Sequence, residues 1–316
     1  MSDSMSDSTM ALGCWQFAGA FGFWTNQQRS DSIKTIHAAI RGGVRHFDTA
    51  QGYGNGRSEQ LLGQQLRRFR DIVPRQEFRI ATKIMPMPPE KIEAAVRTSS
   101  RRLCTPYIDI LHLHWPTSRT DILPMLRAMN GLKASGMVKE IGVSNFPLRL
   151  LKMACDEASI DRVQIPGSLL WIRDLDETVE FCKRNGIRTE IYSPQGMGLL
   201  SGAYRTIEDL KPEDSRRNLF CFDPLCRTAW NDLLEEMETG ARRLGCTRSQ
   251  LALAWALGRK ADTVVFGARD KVQLQENLAA ARIIIRPEID ARLTAAARRL
   301  EQCIPPEQDN PFGHRW

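Results

Sequence analysis

Short apolar runs with strand-like composition recur along the chain, and each is followed by a segment whose apolar residues recur at helical spacing. This alternation requires a parallel sheet covered by helices. Eight consecutive units predict a closed (β/α)8 TIM barrel, an α/β fold of one domain. The predicted strands cover residues 10–15, 44–48, 78–83, 108–114, 139–144, 162–165, 188–193 and 262–267.

The alternative architecture is an open doubly wound sheet, which would need the glycine pattern GxGxxG after its first strand. The run GYGNG at residues 52–56 matches that pattern only in part, because RSEQ follows it instead of a third glycine in register. No linker rich in Pro, Gly or Ser divides the chain. We therefore predict one barrel domain over residues 10–316, after a polar leader over residues 1–9 that is expected to be disordered.

Local signals predict where the helices begin. Ser58 is a residue type that caps helix N-termini, and Pro89 suits a first helical turn. The helices between and after the strands are expected to begin near residues 31, 58, 89, 122, 147, 175, 228, 248 and 272.

Composition narrows the possible partners. The net charge of +7 favours anionic ligands, but the arginines are spread over helix-like segments with acids between them. That distribution is typical of solvated helix faces and does not predict a nucleic-acid surface, whereas a phosphate-bearing small ligand suits it. No apolar run approaches the roughly 20 residues of a membrane span. The eight cysteines contain no C-x-x-C pair, which predicts reduced thiols and a cytoplasmic location.

Polar residues stand where the apolar runs end. Asp48, Lys83 and His114 end the second, third and fourth runs, and Tyr53 follows in the loop after Asp48. The carboxyl ends of barrel strands meet at one rim, where barrel enzymes carry their chemistry. A lysine lowers the pKa of a nearby phenol, an aspartate neutralises the buried lysine, and a histidine polarises a carbonyl. This set suits proton transfer to an oxygen while a cofactor delivers hydride to carbon.

His112 competes with His114 for the histidine role, because alternate residues of a strand face the same way. His114 is nearer the rim and directly precedes Trp115 and Pro116. His112 and His46 are therefore predicted to be hydrogen-bonded histidines of the barrel interior. No Cys or carboxylate spacing supports a metal site among them.

The ordered motifs of this chain resemble those of the aldo-keto reductase family, from LGCW at residue 12 to QENLAA at residues 275–280. The resemblance implies that Asp48, Tyr53, Lys83 and His114 form a catalytic tetrad in which Tyr53 is the general acid/base. It also implies a nicotinamide cofactor, usually NADPH, bound without a Rossmann fold. The motifs are GVRHFDTAQGYGNGRSEQLLG, ATK, DILHLHWP, KEIGVSNF, IYSPQGMGLLSG and GARDKVQLQENL.

The same resemblance implies which residues hold each part of the cofactor. Tyr192 would stack on the nicotinamide ring, and Glu276 and Asn277 would bind the adenine edge. The full set is Ser144, Asn145 and Gln164 for the carboxamide, Tyr192 for the ring, Ser193, Gln195, Gly198 and Leu199 for the pyrophosphate, and Gly267, Ala268, Arg269, Gln273, Glu276 and Asn277 for the adenosine end.

The chain departs from the family pattern at three places, and the first two bear on the choice of cofactor. Val265, Phe266 and Gly267 stand where members often read I-P-G, Gln273 stands where many NADPH users have Arg, and Gln195 stands where Leu is common. Arg269 has the geometry to bind a 2′-phosphate, which favours NADP(H). Many NADPH users carry Arg where this chain has Gln273, so NAD(H) stays open. Gln195 replaces a common Leu in the pyrophosphate loop, where it would either alter the contact or face solvent.

The sequence therefore predicts an enzyme that reduces aldehydes or ketones to alcohols with NADPH, or runs the reverse. Trp15, Trp24 and Trp115 are the predicted substrate contacts. Two alternatives remain open. One is an NAD-linked dehydrogenase of a sugar or pyridoxal-like alcohol, and the other is a nicotinamide-binding regulatory or sensor subunit, since the voltage-gated potassium channel β subunits resemble this fold.

Overall fold

The computed structural model describes residues 9–19, 26–116 and 121–304. Residues 1–8 of the predicted leader, residues 305–316 of the predicted domain and Trp24 lie outside that range. Among the described residues, no helix combines the length and apolar character that crossing a bilayer requires.

Eight parallel strands follow one another in chain order around a closed barrel, which confirms the predicted fold. The barrel closes where β1 pairs with β8, in a register that places Met10 beside Val264 and Gly13 beside Gly267. The strands are β1 (Met10–Gly13), β2 (His46–Asp48), β3 (Arg79–Ile84), β4 (Ile108–Leu113), β5 (Val138–Ser144), β6 (Arg162–Pro166), β7 (Arg188–Tyr192) and β8 (Thr263–Gly267).

Helices surround the barrel, and most bury one apolar face, as Leu61, Leu62 and Leu66 do on α2. The last helix, α10, corresponds to no predicted element. The helices are α1 (Arg29–Arg41), α2 (Arg57–Arg67), α3 (Pro89–Arg102), α4 (Ile122–Ala134), α5 (Leu148–Glu157), α6 (Leu175–Arg184), α7 (Arg227–Leu244), α8 (Arg248–Leu257), α9 (Lys271–Ala280) and α10 (Pro287–Glu301).

The start of α2 corrects one prediction and fixes the loop before it. Gly56, in a left-handed conformation with φ 87°, precedes the helix, and Ser58 is not its cap. The Ser58 hydroxyl donates to the carbonyl of Cys14 over 2.7 Å and accepts from the Thr49 hydroxyl over 2.8 Å. Ser58 therefore joins the β2–α2 loop to the end of β1, and this holds the loop over the rim of the barrel.

Polar side chains fill the middle of the barrel in two levels, because inward positions alternate along each strand. Asp48, Lys83 and Gln164 lie near the rim and are at most 3% exposed. The level below them contains four residues that are at most 1% exposed: His46, His112, Arg162 and Glu190. The two histidines therefore lie in the interior as predicted, but the prediction that they are hydrogen-bonded is wrong, because no ring nitrogen of His46 or His112 makes a hydrogen bond within the described part of the chain.

Candidate active site

A buried ion pair forms the base of the site. The Lys83 ammonium donates to Asp48 Oδ1 over 2.5 Å and to the carbonyl of Thr49 over 2.9 Å. Lys83 is 1% exposed, so its charge depends on these acceptors. Because Asp48 ends β2 and Lys83 lies near the end of β3, neighbouring strands hold the two charges rigidly together.

Tyr53 lies above this pair on the β2–α2 loop. Its ring centre is 5.2 Å from Lys83 Nζ and 5.6 Å from the ring centre of His114, which meets it edge to face. Gly54 lets the loop pass this close to the barrel: it has φ 60°, and a Cβ there would lie 2.9 Å from the carbonyl oxygen of Ala18. The four predicted catalytic side chains thus lie together at one rim.

Burial and charge act in opposite directions on the phenol. Burial raises the pKa of Tyr53 and Lys83 lowers it, while Asp48 raises it again, and the resulting pKa is above the ordinary value of 10.0. Lys83 therefore lowers the pKa of Tyr53 as expected from the sequence, but desolvation outweighs the lysine and the net direction is the opposite of the one expected. Tyr53 is consequently a protonated phenol near neutrality, which is the form that donates a proton.

Lys83 keeps its charge in the same surroundings. Burial lowers the pKa of Lys83, but Asp48 and Tyr53 raise it, and the net pKa is above the ordinary value of 10.5. A cation next to the phenol therefore persists through the neutral range, and it stabilises negative charge that develops on Tyr53.

Amide and hydroxyl groups line the next part of the rim. Asn145, with φ 64°, donates to the carbonyl of His114 and to the Ser144 hydroxyl, each over 3.0 Å. Its side-chain oxygen accepts from the Tyr192 hydroxyl over 2.6 Å. These bonds fix the Tyr192 ring beside the predicted carboxamide site. Gln164 donates from its side-chain nitrogen to Asp48 over 2.9 Å and to Glu190 over 3.0 Å.

The loop after β7 is tied to the helices at the far end of the rim. Gln195 donates to the Ser249 hydroxyl over 2.6 Å and to Asn277 over 2.7 Å. It therefore does not simply face solvent. Asn277 in turn donates to the carbonyl of Gly267 over 2.8 Å, which joins this loop to the end of β8. The side chain of Leu199 is fully buried in the core and does not line the cavity.

The segment after β8 places the guanidinium of Arg269 in the lining of the same cavity as Tyr53. Arg269 donates from Nε to Gln27 over 3.1 Å, and Gln27 donates back to the carbonyl of Arg269 over 2.8 Å. The backbone N–H of Arg269 donates to Gln273 over 3.0 Å. Gln273 therefore shapes the turn that carries Arg269.

One cavity of about 640 Å³ connects these groups, a volume typical of small-molecule sites. Lys83 lies beneath its floor, and Trp15 and Trp115 lie in its wall near Tyr53. Apart from Leu199, every described residue predicted to bind cofactor lines this cavity: Ser144, Asn145, Gln164, Tyr192, Ser193, Gln195, Gly198, Gly267, Ala268, Arg269, Gln273, Glu276 and Asn277.

Two charged residues of the site were not predicted. Arg216 lines the cavity, donates to the carbonyl of Met197 over 2.9 Å and is paired with Asp214. No motif marks it, because it lies in an irregular segment. Glu190 is fully buried inside β7, two residues before Tyr192 and facing the same way. Its spacing is the signal that could have revealed it, because a residue two positions before Tyr192 on a strand faces the same side as Tyr192.

Three interior residues have the side-chain types of a metal site. Ligand atoms of Asp48, His112 and Glu190 lie within 4.8 Å of one another. Cationic groups already contact both carboxylates, with Lys83 on Asp48 and Arg162 on Glu190. A metal ion would have to compete with these two cations, and we therefore assign the trio to the charged interior of the barrel.

The chain is similar to known proteins over most of its length. The chain is 30% identical to the NADH-specific methylglyoxal reductase of Escherichia coli (strain K12), over 93% of this chain and 96% of the relative. It is 30% identical to the aldo-keto reductase YhdN of Bacillus subtilis (strain 168), over 85% and 83% of the two chains. The glycerol dehydrogenase AKR11B4 from Gluconobacter oxydans shares the fold, with a TM-score of 0.80, 24% identity and 92% of both chains covered.

The family model described as "Aldo/keto reductase family" matches residues 9–297, which contain all eight strands and the whole cavity lining. Nicotinamide cofactors are the hydride carriers of this family. The chain belongs to the aldo/keto reductase family.

Proposed function

We propose that this protein is an NADP(H)-dependent oxidoreductase that reduces aldehydes or ketones to alcohols, or runs the reverse, with Tyr53 as general acid/base. One observation carries the proposal. Tyr53 lies beside His114 and next to the Lys83–Asp48 pair, in the lining of a cavity that Arg269 also lines. The arrangement supports the proposal because a phenol that can donate a proton and a guanidinium that could bind a phosphate line one cavity of suitable size.

The chain's own residues would hold the reactants and move the proton. A bound nicotinamide supplies the hydride, since no side chain can. Tyr53 donates its hydroxyl proton to the carbonyl oxygen of the substrate, and Lys83 stabilises the phenolate that results. His114 polarises the same oxygen. Trp15 and Trp115 shield this end of the cavity from water, which strengthens each of these interactions.

The first test is Tyr53→Phe, which removes the hydroxyl and keeps the ring. We expect kcat for carbonyl reduction to fall about 10²- to 10⁴-fold, the usual contribution of a positioned acid/base. Cofactor affinity, measured by quenching of tryptophan fluorescence, should stay near that of the wild type. The matched control is Tyr107→Phe, because Tyr107 lies outside the cavity lining. Near-normal turnover by Tyr53→Phe would contradict the assignment.

A second candidate is an NADH-linked reductase of small aldehydes. The Escherichia coli relative is named as NADH-specific and as acting on methylglyoxal. Gln273 also stands where many NADPH users have Arg, and the Nε of Arg269 is already paired with Gln27. These observations favour a site in which no side chain binds a 2′-phosphate.

Arg269→Ala separates the two candidates. If Arg269 binds the 2′-phosphate, the variant should lose roughly 10- to 100-fold in affinity for NADPH, as expected for a charge-assisted hydrogen bond, and keep its affinity for NADH. If the enzyme is NADH-linked, wild type should already prefer NADH and the variant should change little. Arg29→Ala is the control, since Arg29 is bonded to Gln64 outside the cavity. Methylglyoxal should be among the carbonyl substrates tested with each cofactor, because the Escherichia coli relative is named for it.

A further inference from the structure

The side-chain amide of Gln164 is held between two carboxylates. Its nitrogen donates one hydrogen to Asp48 Oδ2 over 2.9 Å and the other to Glu190 Oε2 over 3.0 Å. An amide NH2 has two donors, so both are used. Gln164 also lines the cavity, and its amide oxygen is the polar atom left to face a ligand.

The side-chain amide of Gln164 cannot rotate by 180° in these surroundings. Rotation by 180° would bring the amide oxygen to about 3 Å from two ionised carboxylates, with two hydrogen bonds replaced by two repulsive contacts. Gln164 is 2% exposed and Asp48 is 3% exposed, so water cannot compensate for the loss. The orientation of this amide is therefore set by the residues beneath it.

Glu190 is held as a carboxylate by its other neighbours. Its Oε1 accepts from Arg162 over 3.2 Å, and its Oε2 lies 3.3 Å from His112 Nε2. Burial raises the pKa of this carboxyl, but His112, His46 and Arg162 lower it by more, and the net pKa is well below its usual range. Glu190 is thus only an acceptor, and it can pair with Gln164 only through the amide N–H.

We infer that Glu190 is a positioning residue: with Asp48 it fixes Gln164 so that the amide oxygen faces the cavity and accepts a hydrogen bond from an N–H donor of the ligand. The inference rests on the proposed function, in which the nicotinamide carboxamide lies beside Gln164. The carboxamide carries an NH2 group, and an acceptor at this point recognises it. Glu190 itself does not line the cavity and acts through Gln164.

The test compares NADP⁺ with its 3-acetylpyridine analogue, in which a methyl group replaces the carboxamide NH2 and the carbonyl is kept. Wild type should bind the analogue roughly 3- to 10-fold more weakly, the loss expected for one hydrogen bond. Dissociation constants are measured by tryptophan fluorescence quenching, so the readout does not depend on turnover. Equal affinity for the two compounds would mean that no acceptor meets the carboxamide NH2, and would overturn the inference.

Glu190→Gln tests the role of the carboxylate. A neutral amide at position 190 can donate a hydrogen bond to the amide oxygen of Gln164, so the Gln164 amide can adopt the reversed orientation. The dissociation constant of the analogue divided by that of NADP⁺ should therefore fall toward one. Glu140→Gln is the matched control, because Glu140 also pairs with Arg162 but makes no contact with Gln164. The Glu140→Gln variant should keep the wild-type ratio of the two dissociation constants. An unchanged ratio in folded Glu190→Gln would overturn the role of Glu190.

A general loss of structure would weaken both compounds alike and leave the ratio unchanged, so the ratio isolates positioning. Should Glu190→Gln fail to fold, Glu190→Asp keeps the charge opposite Arg162 and shortens the reach to Gln164, and the ratio should again fall. The failure of the proposed function has a different signature. If wild type binds neither NADP⁺ nor NAD⁺, the proposed function is wrong, whereas binding without discrimination removes only this inference.

Discussion

The charge of Lys83 and the proton of Tyr53 are coupled at the scale of single residues. Burial keeps the phenol protonated, and Lys83 partly opposes this by favouring the phenolate. Carbonyl reduction needs the phenol as proton donor, and alcohol oxidation needs the phenolate as acceptor. The two directions of the reaction should therefore depend on pH in opposite ways, with reduction slowing and oxidation accelerating as Tyr53 ionises.

Lys83→Met should move that dependence in a defined direction. Lys83 lowers the pKa of Tyr53 and Asp48 raises it, so removing the ammonium leaves only effects that raise the pKa. The alkaline limb of kcat for reduction should shift to higher pH, while kcat itself falls by roughly 10²-fold or more because the phenolate loses its partner. Stopped-flow rates over an alkaline pH series measure both effects.

The control for this shift is Lys139→Met. Lys139 pairs with Asp109 and packs on Tyr107, away from the cavity lining. The Lys139→Met variant should keep the wild-type dependence of kcat on pH. A Lys83→Met profile whose alkaline limb moves to lower pH would show that Lys83 does not act on Tyr53 in the way described.

The sequence revealed some site residues more readily than others. Asp48 and Lys83 were visible because they end apolar strands, where polar residues have no structural reason to recur. Glu190 lies in the middle of β7, so the pattern of polar residues at strand ends does not reveal it. The direction of the Tyr53 pKa shift could not be predicted, because desolvation depends on how the folded loop covers the ring.

At the scale of elements, β5 must leave space for the interior histidine of β4. A Cβ at Gly142 would lie 2.4 Å from His112 Cδ2, closer than any real contact. Gly142→Ala should therefore destabilise the protein by about 1–3 kcal/mol, as overpacking does. The shift of His112 should also disturb Glu190, which lies 3.3 Å from it. Urea denaturation measures the free energy of unfolding.

Gly131→Ala is the contrasting control for the same substitution. Gly131 lies within α4, and a Cβ there would meet no atom within 4 Å. Alanine should stabilise this helix by about 0.5–1 kcal/mol, because it restricts the unfolded chain more than glycine does. If both variants changed stability in the same direction and by the same amount, the packing argument for Gly142 would be wrong.

Periodicity was enough to predict each strand to within two or three residues, since a buried strand and an amphipathic helix leave distinct patterns. Each predicted helix start also lies within two residues of the observed one, but the residue that caps the helix was less predictable. Pro89 begins α3 as expected from its fixed φ. Ser58 failed as a cap because the tertiary contact with Cys14 takes its hydroxyl. Such contacts between residues distant in sequence are not encoded in local residue preferences.

At the scale of the whole molecule, closure of the barrel creates the charged interior. Asp48 and Gln164 are 116 residues apart in sequence, and they meet only because β2 and β6 face each other across the closed sheet. The order of the strands was predictable from their alternation with helices. Which inward residues meet depends on strand tilt and register, and no local pattern in the sequence specifies these.

The charged interior should make the fold sensitive to acid through His46. Burial is the largest cause that lowers the pKa of His46 from its ordinary value of 6.5 to about 4, with Arg162 and Arg79 adding to it and Glu190 and Asp48 opposing it. Between these values the unfolded chain binds a proton that the folded protein does not, so stability falls as the pH drops from 6.5 toward 4. The protonation of His46 alone should lower the free energy of unfolding by about 2 kcal/mol between pH 7 and pH 5. In His46→Gln this contribution is absent, so urea denaturation at the two pH values should show a correspondingly smaller loss. An equal loss in wild type and variant would show that His46 is not held neutral by the fold.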